Sequence, residues 1–249
     1  MAESSLSVGK TELDAAIGVF LGFGRTSTDW STEQQYKIDD ARNAGTARFY
    51  SERDWNFLSP TTTLTCTADD YAYDLPDDFG TMREDFYFAA DKGYAPLTQR
   101  PPGYVLSRIT ASDSSGVPTY YAIRPKSQTG SAGTRWELLL YPPPQDTYVL
   151  SYRYTVLRDA LTSTYPYPAG GAACREAITA ACLAAAERLF NDVIGTQEAY
   201  YQQQLMLAVR FDGRTQTKHY GQMRDTSDGP SGVCPADDFP YLNGVTTET

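Results

Sequence analysis

The sequence predicts an α+β protein: a helical bundle made by the N- and C-terminal segments, an inserted antiparallel β-sandwich or barrel-like domain, and an extended C-terminal tail. Three observations carry this reading. Apolar residues recur at helical spacing from Leu13 to Leu58 and again from Cys174 to Phe211. Between 61 and 156 the apolar period switches to two, with turn residues at intervals of about 8–12, the pattern of short antiparallel strands. From Gly213 onward the chain is Gly, Pro, Ser, Thr and Asp with scattered aromatics. The division is therefore 1–59 and 160–212 for the bundle, 60–159 for the insertion and 213–249 for the tail.

The elements follow in order. Residues 1–7 are polar and read as unstructured. Leu13, Ile17, Phe20 and Leu21 define a first helix, with Thr11 as N-cap and Asp14 at N3, ending near Gly22–Gly24. Ser31 caps a second helix whose stripe runs Ile38, Ala41, Gly45, Phe49 toward Trp55 and Leu58, closed by Pro60. Strands are expected near 61–66, 71–75, 82–90, 94–98, 119–124, 135–141 and 147–156, with a helical turn at 103–110. The last two strands, joined by Pro142-Pro143-Pro144-Gln145-Asp146, read as a hairpin with a stiff loop. The strongest helix spans 172–194, with Cys174, Ile178, Ala181, Cys182, Ala185 and Leu189 on one stripe. These side chains are mostly small, so the face should approach another helix closely, most economically the second. Beyond Gly195 a last helix, 196–211, carries Tyr200, Leu205, Leu207, Ala208 and Phe211.

Composition excludes several functions. Lys and Arg number 21 against 31 Asp and Glu, a net charge of -10, which disfavours a sequence-independent grip on nucleic acid. With a single His, His219, placed in the tail, Ser-His-Asp, Cys-His and two-His metal arrangements lose their imidazole. The four cysteines form no C-x-x-C pair, and Cys174 and Cys182, roughly 12 Å apart along one helix, are too distant for a disulfide. No basic-then-apolar leader and no run of about 18 apolar residues occur, so neither export by signal peptide nor membrane spanning is expected. The thiols then read as core filler in a protein made in a reducing cytoplasm.

Candidate sites each have an ordinary alternative. Gly9-Lys10-Thr11 resembles the end of a P-loop, but the required first Gly falls on Ser4, and helix capping explains the residues better. The acid pairs Asp39-Asp40, Asp69-Asp70, Asp77-Asp78 and Asp237-Asp238 suit turns and caps, because neighbouring carboxylates point apart. Residues 66–95 concentrate charge: Asp69, Asp70, Asp74, Asp77, Asp78, Glu84, Asp85 and Asp91 stand against Arg83 and Lys92, a local net of -6. That is either a solvated strand edge guarded against aggregation or a negative surface that repels DNA or meets a basic partner. Nineteen Tyr, in clusters at Tyr71 and Tyr73, Tyr120 and Tyr121, Tyr148, Tyr152 and Tyr154, and Tyr200 and Tyr201, fit residues alternating between core and interface, or a sugar platform. No catalytic, metal or cofactor site is expected. In the tail, Tyr220, Phe239, Tyr241 and Leu242 are apolar anchors in a polar segment and, with Phe211, are the expected partner-binding residues.

Tyr73-Asp74-Leu75-Pro76-Asp77-Asp78-Phe79, then Pro118-Thr119-Tyr120-Tyr121, then Leu140-Tyr141-Pro142-Pro143-Pro144 before a Tyr-rich strand and an Ala-rich helix, form a series. Over residues 10–211 that series resembles bacteriophage head-to-tail adaptor proteins, including the tail tubular A type of short-tailed phages. The resemblance implies a virion neck component, assembled in the host cytoplasm as a homo-oligomeric ring, usually of twelve subunits, beneath the portal protein. It implies a helical bundle, a β domain facing the downstream tail or nozzle protein, DNA passing through the channel without specific binding, no cofactor and no catalytic residue. The tail departs from a basic docking arm: beyond Arg224 it has five acids and no base. Two other readings share the sequence: another neck or tail part (tail completion or tube), and a carbohydrate-binding virion protein.

Overall fold

Helix α1 (Lys10–Phe20) starts where Gly9 stands in extended geometry and its N–H donates to the Glu12 carboxylate at 3.3 Å. The cap is therefore Gly9, and Thr11 is already inside the helix. Asp14 is spent elsewhere, on Arg42 of the next helix. The computed structural model describes residues 3–89, 91–111, 114–129, 133–191 and 195–215. Among them are five α-helices and seven strands in two sheets, an α+β protein. Residues 3–8 are tied to the fold at their far end: Ser7 and Val8 are buried and the Arg175 guanidinium donates to the Leu6 carbonyl at 3.1 Å, while the side chains of Glu3 to Leu6 stay exposed. The polar character of this segment reflects its hydrogen bonds, not a lack of structure.

Helix α2 (Thr32–Ser51) opens on a capping box in which Ser31 and Gln34 bond each other's backbone N–H at 3.3 and 2.8 Å. It buries Ile38, Ala41, Arg42, Gly45, Thr46 and Phe49. It ends at Ser51, short of Trp55, whose indole N–H donates to the Phe49 carbonyl at 2.9 Å while its ring stacks on Phe49 at 4.7 Å. Helix α3 (Pro102–Ala111) lies within the β region. Helices α4 (Arg175–Asn191) and α5 (Thr196–Asp212) follow, and the Glu187 carboxylate of α4 accepts from the Gly195 and Gln197 N–H groups, both at 3.2 Å, satisfying the start of α5. A 3₁₀ turn, Gly213–Thr215, ends the described chain.

The small stripe of α4 meets α2 as its composition requires. A Cβ on Gly45 would stand 2.4 Å from the Cys182 Cα and 2.9 Å from the Ala181 carbonyl carbon, so the backbones touch where glycine leaves room. Leu189 lies outside that contact and is exposed, because the stripe turns away from α2 before the helix ends.

The strands are β1 (Thr61–Cys66), β2 (Ala72–Asp74), β3 (Phe79–Phe88), β4 (Thr98–Gln99), β5 (Tyr120–Thr129), β6 (Gly133–Tyr141) and β7 (Tyr148–Val156). One sheet has the order β1-β7-β3 and the other β2-β6-β5-β4. Two expectations are corrected here. β6 and β7 are not a hairpin: each is an inner strand of a different sheet, and the prolines between them, lacking N–H groups, carry the chain across instead of closing a ladder. The sheets do not close into a barrel, nor are they wholly antiparallel, since β4 runs parallel to β5. A parallel neighbour needs a crossover, and α3 supplies it.

The helices and sheets keep separate cores within one compact unit that ends at Thr215. Leu13, Ile17, Ile38, Phe49, Trp55, Ile178 and Tyr201 anchor the first. Leu138, Leu140, Tyr73 and Tyr121 from one sheet meet Phe79, Phe86, Leu150, Tyr152 and Tyr154 from the other in the second. Leu139 points the opposite way, under Val105 of α3 and beside Ala122. With both faces covered, β6 buries four consecutive residues, Glu137 to Leu140, a run that alternation alone does not produce.

Candidate assembly interface

The tyrosines are first of all structural. Tyr73 donates to the carbonyls of Thr67 and Asp70 at 2.9 and 2.8 Å, closing the turn before β2. Tyr121 donates to Asp85 at 2.7 Å and Tyr154 to Asp78 at 2.9 Å, while the Tyr50 hydroxyl accepts from the Ala169 N–H at 2.8 Å. Burial pushes the Tyr50, Tyr73 and Tyr152 phenols up to about 12 and raises Tyr121, Tyr154 and Tyr201 as well. The sequence clusters divide unevenly: Tyr148, Tyr152 and Tyr154 all go inside, whereas in the pairs Tyr73, Tyr121 and Tyr201 are buried while Tyr71 and Tyr200 face solvent and Tyr120 is half-buried.

The thiols are equally internal. Desolvation pushes Cys66 and Cys182 up to about 12 and Cys174 to about 11, so none is poised as a thiolate nucleophile. Among the described residues no group of three or more His, Cys, Asp or Glu could hold a metal ion. Cys234 and His219 lie outside the described residues.

The acids of the 66–95 segment spread over both sheets and the turns that lead into them. Asp74 on β2 pairs with Lys126 at 2.6 Å, Asp77 pairs with Arg135, and Glu84 on β3 pairs with Arg153 at 2.6 Å. A hydrogen bond from Tyr87, and then Arg153, hold the Glu84 carboxyl below its usual range. Asp78 and Asp85 accept tyrosine hydroxyls. Asp69, in left-handed backbone at φ 63, turns the chain between β1 and β2, and with Asp70 and Asp91 it stays exposed outside any ion pair among the described residues. Three of the eight charges are thus matched by bases from β5 to β7, and the outward field is weaker than the sequence count implies.

Of the expected partner-binding residues, Phe211 is exposed near the end of α5 with the Arg214 guanidinium 6.0 Å from its ring centre. Tyr220, Phe239, Tyr241 and Leu242 lie outside the described residues. Two surfaces escaped the sequence reading. The outward side of α5 also presents Met206, 65% exposed, and Leu207, 55% exposed. The link from β7 to α4 lines a groove of about 850 Å³ where Leu157, Tyr165 and Tyr167 are exposed. Apolar residues beyond the stripe that fills the core were the available signal: Met206, Leu207 and Phe211 lie off the Tyr201, Ala208, Asp212 face that α5 buries.

A folded unit with separate helical and sheet cores that still leaves large apolar side chains exposed has the marks of an assembly part. Residues 11–227 match the family model described as SU10 adaptor protein. The chain belongs to this family of bacteriophage head-to-tail adaptor proteins. A search of curated proteins returns no match. The protein is accordingly a structural virion component that interacts with portal and tail proteins. No helix among the described residues is long and apolar enough to cross a membrane.

Proposed function

We propose that the protein assembles as a ring, of twelve copies by family resemblance, under the portal protein, joining the DNA-filled capsid to the tail and lining the channel through which DNA passes without specific binding. The family match across bundle and sheets carries this reading. In it, residues 60–159 are an inserted β-sandwich that meets the downstream tail or nozzle protein, the helices 1–59 and 160–212 are the bundle, and 213–249 dock on the portal or a neighbouring subunit through Tyr220, Phe239, Tyr241 and Leu242, with Phe211 at the root. The role is structural, with no turnover. Subunits associate weakly alone and close on the portal, because an early ring would compete with ordered construction. A net charge of -10 per copy favours a negative lumen that does not retard DNA, with Asp69, Asp70, Asp74, Asp77, Asp78, Glu84 and Asp85 as the expected acidic surface. Particles made without the protein should be filled heads lacking tails, and adding the purified chain should restore joining and a ring at the neck. Tailed particles in its absence would defeat the reading, and cross-linking to a tail protein but not the portal would favour a tail completion or tube role.

A further inference from the structure

A ladder of alternating cations and rings runs over one edge of the sheet β2-β6-β5-β4. The Arg100 guanidinium lies 5.4 Å from the centre of the Tyr120 ring, Tyr120 meets Tyr104 of α3 edge-on at 5.9 Å, and the Arg108 guanidinium lies 5.4 Å from the Tyr104 ring. Arg100, Tyr104 and Arg108 are exposed, and neither arginine makes an ion pair among the described residues. Stacking on the rings steadies both guanidiniums and leaves their N–H donors to a partner. The opposite edge of the sheet holds acids. Asp69 and Asp70, exposed and outside any ion pair among the described residues, stand beside exposed Tyr71 on the turn into β2. That turn is firm, since the Asp69 N–H donates to the Pro144 carbonyl at 2.7 Å and the Tyr73 hydroxyl closes it on Thr67 and Asp70. The strand order makes β2 and β4 the two edges, and the register puts them level. The Leu140 N–H donates to the Tyr71 carbonyl, Leu140 pairs with Tyr121, and the Arg100 N–H donates to the Tyr121 carbonyl, both bonds being 2.8 Å. The acidic turn and the start of the ladder thus share one row at opposite edges, roughly 14 Å apart by strand spacing.

We propose that the ladder of one copy receives the Asp69-Asp70-Tyr71 turn of the next, with the two carboxylates on Arg100 and Arg108 and the Tyr71 ring against Tyr104 or Tyr120. The occupant is a second copy because the charges complement each other: one edge holds two cations that the chain leaves unmatched, and the other edge, at the same level, holds two unmatched acids and a free ring. A contact between two different surfaces repeats head to tail, and it closes into a ring when the rotation per step allows, whereas one self-complementary patch stops at a dimer. Exposed charge pairs are individually weak, which suits copies that close only on the portal. This inference rests on the ring reading above and assigns Asp69 and Asp70, out of the acidic surface named there, to the joint between copies.

The test uses full-length chains assembled onto adaptor-deficient heads. R100E with R108E reverses the ladder, and D69N with D70K reverses the turn, Asn being chosen at 69 because it tolerates the left-handed backbone there, φ 63. Each pair of substitutions should lower ring formation at the neck roughly tenfold or more, with circular dichroism and melting as in the wild type. A chain carrying all four should regain the ring, and so should an equal mixture of the two paired variants, because each then offers the other its complement. Rings that form normally from either paired variant overturn the proposal. So does a chain with all four substitutions that melts like the wild type yet assembles no better than the pairs. If the R100E, R108E chain forms rings but no longer takes up the tail protein, or loses binding to a single-stranded oligonucleotide, the ladder serves that partner and not a second copy. In these outcomes the wild-type ring persists and the adaptor reading stands; a wild-type chain that joins heads without forming a ring defeats the ring reading and this inference with it.

Discussion

Arg42 shows how much one residue can hold. It is 3% exposed and its guanidinium meets Asp14 of α1 and, at 2.6 Å, Asp39 one turn back on α2, while Lys10 reaches Asp14 at 2.8 Å. A buried charge left without its partner is costly, so Arg42→Met should destabilise by about 3 kcal/mol, moderated because Lys10 still faces Asp14, and thermal melting will measure it. A second pair gives a pH signature. Arg48, through its hydrogen bonds, holds the Glu198 carboxyl down to about 2, below the roughly 4.3 of an unfolded glutamate. A carboxylate depressed by folding contributes fully above its unfolded value, and its contribution fades as pH falls from about 4.3 toward 2. Both side chains are about a quarter exposed (24% and 26%), so solvent screening reduces the contribution to on the order of 1 kcal/mol. The melting temperature of the wild type should therefore fall more steeply from pH 6 to pH 3 than that of Glu198→Gln, the two curves converging in acid. Parallel curves would show that the pair contributes nothing.

At the level of elements, what was legible in the sequence is what local chemistry decides. Ser31 and Gln34 mark the start of α2, and the small residues of α4 announce its close approach to α2. Pairing between distant strands is not local, and there the reading slipped. Strands β6 and β7 are the most apolar segments of the β region because both are inner strands, yet nothing in a three-proline link says whether the chain folds back or crosses to another sheet. The same limit hid the parallel β4, only two residues long, whose partner Tyr120 is reached through α3. At the candidate interface, Phe211 was legible as an apolar residue near a chain end, but the groove along the link from β7 to α4 was not, since it exists only where Leu157, Tyr165 and Tyr167 come beside Tyr50 and Asp78 from distant parts of the chain. The tightest element contact makes a direct prediction. Gly45→Ala places a methyl against backbone, not against a side-chain tip that could move, so α2 and α4 must separate. Its cost should be about 2 kcal/mol or more, with helical content retained. Gly103, whose Cβ would meet nothing within 4 Å, is the control, and Gly103→Ala should melt within about 1 °C of wild type or slightly above it.

For the whole molecule, the decisive separation is between folding and attachment. Helix α5 is tied to the 3₁₀ turn Asn56–Leu58 that follows α2 by Asp212, whose carboxylate accepts from the Asn56 backbone N–H at 3.1 and 3.2 Å and from its side-chain amide at 3.1 Å. A chain cut directly after Phe211 would lose those bonds, and its failure to join heads would say nothing about docking. Ending the chain after Thr215 keeps them, together with both cores. This shorter chain should reproduce the melting temperature and circular dichroism of the full protein. Removing 34 residues that include Tyr220, Phe239, Tyr241 and Leu242 takes away the expected apolar anchors along with seven charges, so attachment to portal-bearing heads should drop by an order of magnitude or more. Restoring the segment with the four anchors changed to Ser separates the two contributions. If that variant joins heads like the wild type, charge and length suffice and the anchor role fails; if it behaves like the truncation, the apolar residues hold the joint.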